Sequence, residues 1–319
     1  MKSQRLTKQQ HNNYIEYCTT LHHNRDVFLI NYHQEIVAFD QINTKLNKIT
    51  QLIFINNNFT GQKISNLLKF NLIISDRASK AFYSLNLSLH HDAWLVFRPG
   101  LEAALMVGKL ISNKELFDLW MEKNKVSKKY NKKFSGKNLG EDNKLPLAEK
   151  FRSVISKIND QMSHCNNDYM KSSIEKEIVK KKAGKKYGVP PIIPLCPAEM
   201  TILRHPLVAK MLFVEVPYVR YKLTQAGGEQ DEHRAYIYSF LHLYYLLVKS
   251  LGEMYKEFYS KEEELDIDIN NFLNNWRPKI DSLIKRKPEL KVFCQDFGLW
   301  EFPPEPNADT QNKKYIFQA

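Results

Sequence analysis

Apolar residues recur at three- and four-residue intervals through most of this chain, the signature of helices that each bury one face. Over residues 14–58 the pattern runs Val27, Leu29 and Ile30, Ile36 and Val37, then Leu46, Ile49 and Ile53. It predicts one long helix or two, broken near Asn24 or Asp40 and ended by Asn56, Asn57 and Asn58. A shorter apolar helix over about 63–74 follows Thr60 and Gly61. Ser75 then has the chemistry of an N-cap. The helix it would start passes through Ala78, Phe82, Leu85, Leu89 and Trp94 towards Ile111. Pro99 lies inside that pattern and predicts a kink or an interruption beside Arg98, because it removes one helical hydrogen bond and crowds the preceding turn. Ser112 and Glu115 have capping-box spacing and predict a further helix carrying Leu116, Phe117 and Trp120.

Beyond a polar loop around Gly140, Pro146 suits the first turn of a helix. That helix sets Leu147, Phe151, Val154, Ile155, Ile158 and Met162 on one face and ends at Ser163 and His164. Residues 189–217 hold six of the 13 prolines, which rules out a long regular element there. Residues 211–223 alternate well enough for one or two short strands interrupted at Pro217. A long helix over about 229–259 follows, apolar at Tyr236, Phe240, Leu243, Leu247, Leu251, Met254 and Phe258. Shorter helices are expected near 266–275 and 278–287. The fold class expected is mostly α: a single helical-bundle domain over 1–302. Its parts are N-terminal helices (14–74), core helices (76–164 and 229–259) and an irregular proline-rich insertion (165–228) containing one or two short β-strands. A flexible tail (303–319) completes the chain. No internal repeat is visible.

Composition agrees with a globular chain: 43% of the 319 residues are hydrophobic and 26% charged. Only 11 glycines argue against a large turn-rich β-fold. Cys18, Cys165, Cys196 and Cys294 stand far apart, so neither a zinc ribbon nor a redox CxxC pair is indicated. The N-terminal segment has no apolar stretch of the signal-peptide kind. The most apolar run, 236–248, is too short to cross a bilayer. A cytoplasmic protein with no membrane partner is the expectation.

Charge is more informative by position than by total. The net charge is +12. Residues 123–137 contribute +7 and residues 171–186 contribute +5, so the rest of the chain is neutral. A field confined to two short segments suits a polyanion surface. Lys125, Lys128, Lys129, Lys132 and Lys133 in the first segment, and Lys180, Lys181, Lys182, Lys185 and Lys186 in the second, are the candidate contacts for RNA or DNA. The competing reading is compositional: 37 lysines and 26 asparagines fit an A/T-rich genome, and such loops are often only solvated.

Chemistry is most concentrated in residues 90–106. Arg98 and Glu102, four apart, share a helix face, and His91 and Trp94 continue the stripe. Charges set among Trp, Phe, Leu and Met are normally paired or used. A buried pair that orients helices, with about 3–5 kcal/mol lost when one partner is stranded, stands beside an anion site in which Glu102 positions Arg98. His164, one turn after Asp160, reads either as a helix-end residue or as a third member of a catalytic set with Arg98 and Glu102. The adjacent pairs His22–His23 and His90–His91 point about 100° apart and make no two-ligand metal site alone. No phosphate loop, dinucleotide fingerprint or nucleophile elbow occurs. No cofactor or metal is expected.

The segments Phe97-Arg98-Pro99-Gly100-Leu101-Glu102 and Gln161-Met162-Ser163-His164, with the Trp-containing helix between them, resemble a loose set of uncharacterised bacterial all-helical families. Those families are similar to the HEPN superfamily of helical bundles, some of whose members are RNases in toxin–antitoxin and phage-defence systems. The resemblance covers roughly residues 76–170. Active HEPN nucleases carry Arg and His on one helix with four to six residues between them. Here the nearest pairs, Arg25/His33 and Arg234/His242, have seven between them. The resemblance therefore implies an accessory or degenerate nuclease, and an enzyme is less expected than a binding protein. If it is an enzyme, a metal-independent RNase or one acting on an anionic small molecule is indicated. A regulatory bundle without catalytic activity, bound to another protein or to a second copy of itself, is the alternative.

Overall fold

Where the helices break is decided by contacts between them. The computed structural model describes residues 8–55, 61–112, 114–122, 127–160, 228–256 and 269–302. The first break falls at Tyr32, between α1 (Lys8–Asn31) and α2 (His33–Ile55), and not at Asn24 or Asp40. Asn24 is fully buried and its amide donates to the Leu87 carbonyl at 3.3 Å, so it ties α1 to a neighbour. Tyr32 is buried and stacks on Phe28, with ring centroids 4.8 Å apart.

Ser75 does not cap a helix. It lies in the middle of α3 (Gly61–Asn86), where its hydroxyl donates to Asn43 Oδ1 at 2.9 Å. The buried Tyr244 hydroxyl donates to the same oxygen, also at 2.9 Å. One Asn43 carbonyl thus satisfies two hydroxyls from two other helices, which a cap prediction from local sequence cannot foresee. The chain turns back only after Asn86, through Ser88 in the left-handed region at φ 61°. α4 (His90–Ser112) then returns beside α3.

Both internal prolines lie within continuous helices. Pro99 is in α4, and Pro278 is in the helix Ile269–Arg286, which replaces the two short helices expected there. The carbonyl freed four residues back lies on the same face as the proline. Pro99 is half-exposed and Pro278 exposed, so water can satisfy that carbonyl.

The remaining helices among the described residues are α5 (Lys114–Met121), α6 (Ser127–Phe134), α7 (Ala148–Ile158), α8 (Gly228–Lys256), α9 (Ile269–Arg286) and α10 (Lys291–Gly298). Short 3-10 turns, Gly136–Leu139 and Pro288–Leu290, precede α7 and α10. α7 begins two residues after Pro146, following Leu147 at φ 62°. The Ser112 hydroxyl donates back to the Lys109 carbonyl at 2.6 Å. α10 has no counterpart in the sequence reading.

α8 is the axis of the bundle. From Asp231 to Tyr255 nearly every residue is buried, on all sides of the helix. Such a helix must be surrounded; α2, α3, α4, α9 and α10 pack against it. All ten helices of the described residues contribute to one continuous hydrophobic cluster. The fold is mostly α, and the described residues contain no strand. The proline-rich insertion with its expected short strands and the tail lie outside the described residues. Among the described residues no helix is long and apolar enough to cross a membrane.

Candidate functional site

Arg98 and Glu102 do meet, with Nε donating to Oε1 at 2.9 Å. The pair does not run through the buried surface of α4, however. The two side chains are 36% and 39% exposed. α4 turns Trp94, Phe97, Leu101 and Ala104 inward, and the pair lies about 100–140° round the helix from Phe97. A pair this open to water adds only a few tenths of a kcal/mol. The expectation of a buried pair that is costly to strand is therefore overturned. Leu95, Pro99 and Met106, on the same side of α4, are half-buried.

His164 lies outside the described residues, as do Lys125, Lys180, Lys181, Lys182, Lys185 and Lys186. α7, which leads towards His164, packs against α4 and buries Phe151, Val154, Ile155 and Ile158.

Lys128, Lys129, Lys132 and Lys133 are all exposed on α6. The other face of this helix turns inward through buried Phe134 and half-buried Tyr130, whose rings lie 4.9 Å apart. The loop after α6 is clamped to α4. Lys109 is 3% exposed, and its ammonium donates to the carbonyls of Asn138 (3.0 Å) and Glu141. Burial pulls its pKa below the ordinary lysine range, Lys133 adds to that, and Asp142 and Glu141 oppose it. Asn138 in turn donates to the Lys132 carbonyl at 2.8 Å. Asn143 donates to Leu105 and Leu139 carbonyls at 2.7 and 2.9 Å. A hydrogen-bonded chain from α4 thus holds the lysine helix in place.

The fold assembles a second polar cluster that local sequence does not reveal. His233, on α8, is fully buried, with Nδ1 2.6 Å from Nε2 of His90 on α4. His90 stacks on Tyr236 at 4.3 Å, and Phe28 and Tyr32 meet the His233 ring edge to face. Nε2 of His233 has no hydrogen-bond partner among the described residues. Burial, with the Arg234 charge adding, lowers the His233 pKa to about 3. The ring is therefore neutral, and one proton links the two imidazoles.

Two residues before His233, Asp231 accepts two hydrogen bonds from Arg286, at 2.9 and 3.2 Å, and stands 3.7 Å from Arg234. The Arg286 bond is the main reason its carboxyl is held below the usual range. Burial pushes the Tyr32 hydroxyl up to about 12, with Arg234 pulling the other way. Lys279 Nζ lies 3.9 Å from buried Glu35. Four parts of the bundle converge here: the α1–α2 junction, α4, α8 and α9. The available signal was α8 itself, since a helix apolar on every side buries whatever polar residues it carries.

His242, further along α8, is a satisfied core residue. Its Nδ1 is 2.6 Å from the Gly298 carbonyl, and its ring lies 3.8 Å from that of Trp300. Burial lowers its pKa to about 4, partly offset by the Gly298 carbonyl. Arg234 is half-exposed at the other end of the helix. Eight positions turn the two side chains about 80° apart, so they form no common site. Arg25 pairs with Asp26 at 2.9 Å, and His33 is exposed. Among the described residues no group of three or more His, Cys, Asp or Glu side chains is placed to hold a metal ion.

These features define a mostly α helical bundle with a clamped, exposed lysine helix and a buried histidine pair. No family model, no curated protein and no solved structure matches the chain.

Proposed function

We propose that this is a nucleic-acid-associated helical bundle in which the lysines of α6 hold the phosphate backbone of RNA or DNA. The observation that carries the reading is the exposure of Lys128, Lys129, Lys132 and Lys133 on a helix fastened to the bundle by its other face. Positions 128 and 132, and likewise 129 and 133, repeat every ~6 Å along the helix axis, close to the step between phosphates on one strand. Lysines on a fixed helix lose less freedom on binding than lysines on a mobile loop. Contacts to phosphate carry no base information, so binding is sequence-independent and falls with salt. Lys125 and the lysines at 180, 181, 182, 185 and 186 extend this reading on sequence grounds.

Within a defence or toxin–antitoxin system, an accessory or degenerate relative of the HEPN nucleases fits better than an active one. Arg234 and His242 diverge, and Arg98 is engaged by Glu102. Anisotropy titrations with single-stranded RNA and duplex DNA across a salt series test the proposal. We expect weak binding that falls steeply with salt. Replacing Lys128, Lys129, Lys132 and Lys133 together by Gln should lower the log–log slope by up to about four. No binding at low salt, or an unchanged slope in the variant, overturns the reading.

A further inference from the structure

α3 presents an unusual outer face. Lys69, Leu72, Ile73, Asp76, Ser79, Lys80 and Tyr83 are exposed at helical spacing, opposite the inward stripe of Leu67, Ile74, Ala78, Ala81 and Leu85. α2 and α4 flank the helix, and nothing among the described residues covers this face. Three of its side chains are large and apolar: Leu72 is 62% exposed, Ile73 39% and Tyr83 54%. Single exposed apolar residues are ordinary, but here Leu72 and Ile73 at one end of the face and Tyr83 at the other bracket a charged centre of Asp76 and Lys80.

The order of residues in this row is self-complementary. Asp76 and Lys80 lie two positions either side of residue 78, and Ile73 and Tyr83 lie five either side. An antiparallel second copy of α3, related by a twofold axis at the level of residue 78, would set Asp76 against the partner's Lys80. The same axis sets Ile73 against the partner's Tyr83. Each contact occurs twice, as an isologous interface requires. Ser79, small and exposed next to the axis, allows the two backbones to approach, and its hydroxyl stays within reach of water or of the charges beside it. Asp76 and Lys80 already form an ion pair within one helix at 2.9 Å, so their charged ends stand together at the middle of the face. A parallel arrangement would oppose Asp76 to Asp76 and Lys80 to Lys80, and the antiparallel one opposes the helix dipoles favourably.

We propose that the outer face of α3 is a homodimer interface, on which a second copy of this chain packs antiparallel. The apolar residues at 72, 73 and 83 supply burial, and the Asp76–Lys80 exchange sets direction and register. This interface is independent of the lysine helix and does not depend on the nucleic-acid reading.

Sedimentation equilibrium of the full chain over a wide concentration range tests it. We expect the mass of two chains at the upper concentrations. Ile73→Glu with Tyr83→Glu should give the mass of one chain with an unchanged far-ultraviolet circular dichroism spectrum, because both positions are exposed; its melting temperature should fall only by the stabilisation that association gives the wild type. Asp76→Lys alone, or Lys80→Asp alone, puts like charges together at two symmetric contacts and should weaken association roughly tenfold or more. Combining Asp76→Lys with Lys80→Asp restores complementarity and should restore the dimer, which recovery of folding alone would not do. A wild-type protein monomeric at every concentration leaves this face to a different partner and overturns the proposal. So does a dimer insensitive to Ile73→Glu and Tyr83→Glu, or a charge exchange that fails to rescue.

Discussion

His233 and His242 make stability depend on pH in a definite direction. Both rings are neutral in the fold, with pKa values lowered to about 3 and about 4 from an ordinary 6.5. As pH falls through about 6.5 the unfolded chain binds protons at these rings, whereas the folded chain does not until near pH 4 and below. The unfolded state therefore holds more protons throughout that window, and stability falls as pH falls. Between pH 7 and pH 5 each ring should cost about 2 kcal/mol. Urea melts at the two pH values measure the loss, and His233→Phe should remove about half of it. Stability that is flat from pH 7 to pH 5 would mean that both rings accept protons in the folded state. At this scale the sequence is a partial guide. The contact between Arg98 and Glu102 follows from spacing, because i and i+4 always face one another on a helix. Its exposure does not, since burial depends on which way α4 rolls against its neighbours. The meeting of His90 with His233 joins residues 143 positions apart, and no local pattern announces it.

At the scale of elements, the tie between α4 and the loop after α6 is open to test by a single substitution. A Cβ added at Gly108 would lie 2.7 Å from Leu145 Cβ and 2.8 Å from the Leu145 backbone nitrogen, and would also collide with Asn143 Oδ1. These neighbours belong to one backbone-anchored turn, so the loop must move away. Gly108→Ala should cost about 1–3 kcal/mol and raise amide exchange over residues 136–145. Gly100→Ala is the control. Its nearest contact is Arg77 Cβ at 3.3 Å, and the better helix propensity of alanine, up to about 1 kcal/mol, offsets mild crowding. Equal effects of the two substitutions would show that the loop is not clamped as described. Helix periodicity is legible for most of these elements, but their ends are not. Ser75 looks like a cap and serves as a hydrogen-bond donor between helices. Pro278 stands where a second short helix is expected to start and instead sits inside α9, because the carbonyl it frees can reach water.

At the scale of the molecule, one apolar cluster spans the ten helices of the described residues and includes Trp94, Trp276 and Trp300 in separate parts of the chain. Tryptophan fluorescence and far-ultraviolet circular dichroism should therefore report one shared unfolding transition with urea. Two separated transitions would show that the bundle is divided into independently stable parts. The sequence by itself determined that the protein is mostly helical, where most helices run, that the helix near 229–259 belongs to the core, and that charge is gathered in short lysine segments. These follow from hydrophobic period and composition, which are local and survive any arrangement of the helices. Only the tertiary structure decided that Arg98 and Glu102 face water, that four lysines of α6 stand on a clamped helix, and that His90, His233, Tyr32 and Asp231 share one buried corner. It also decided, by what packs around it, that α8 is the axis, and that Leu72, Ile73 and Tyr83 of α3 are covered by nothing among the described residues. The physical reason is the same in each case: a helix's pattern says how much of its surface must be buried, while its neighbours decide which polar groups go in with that surface and which apolar ones are left out.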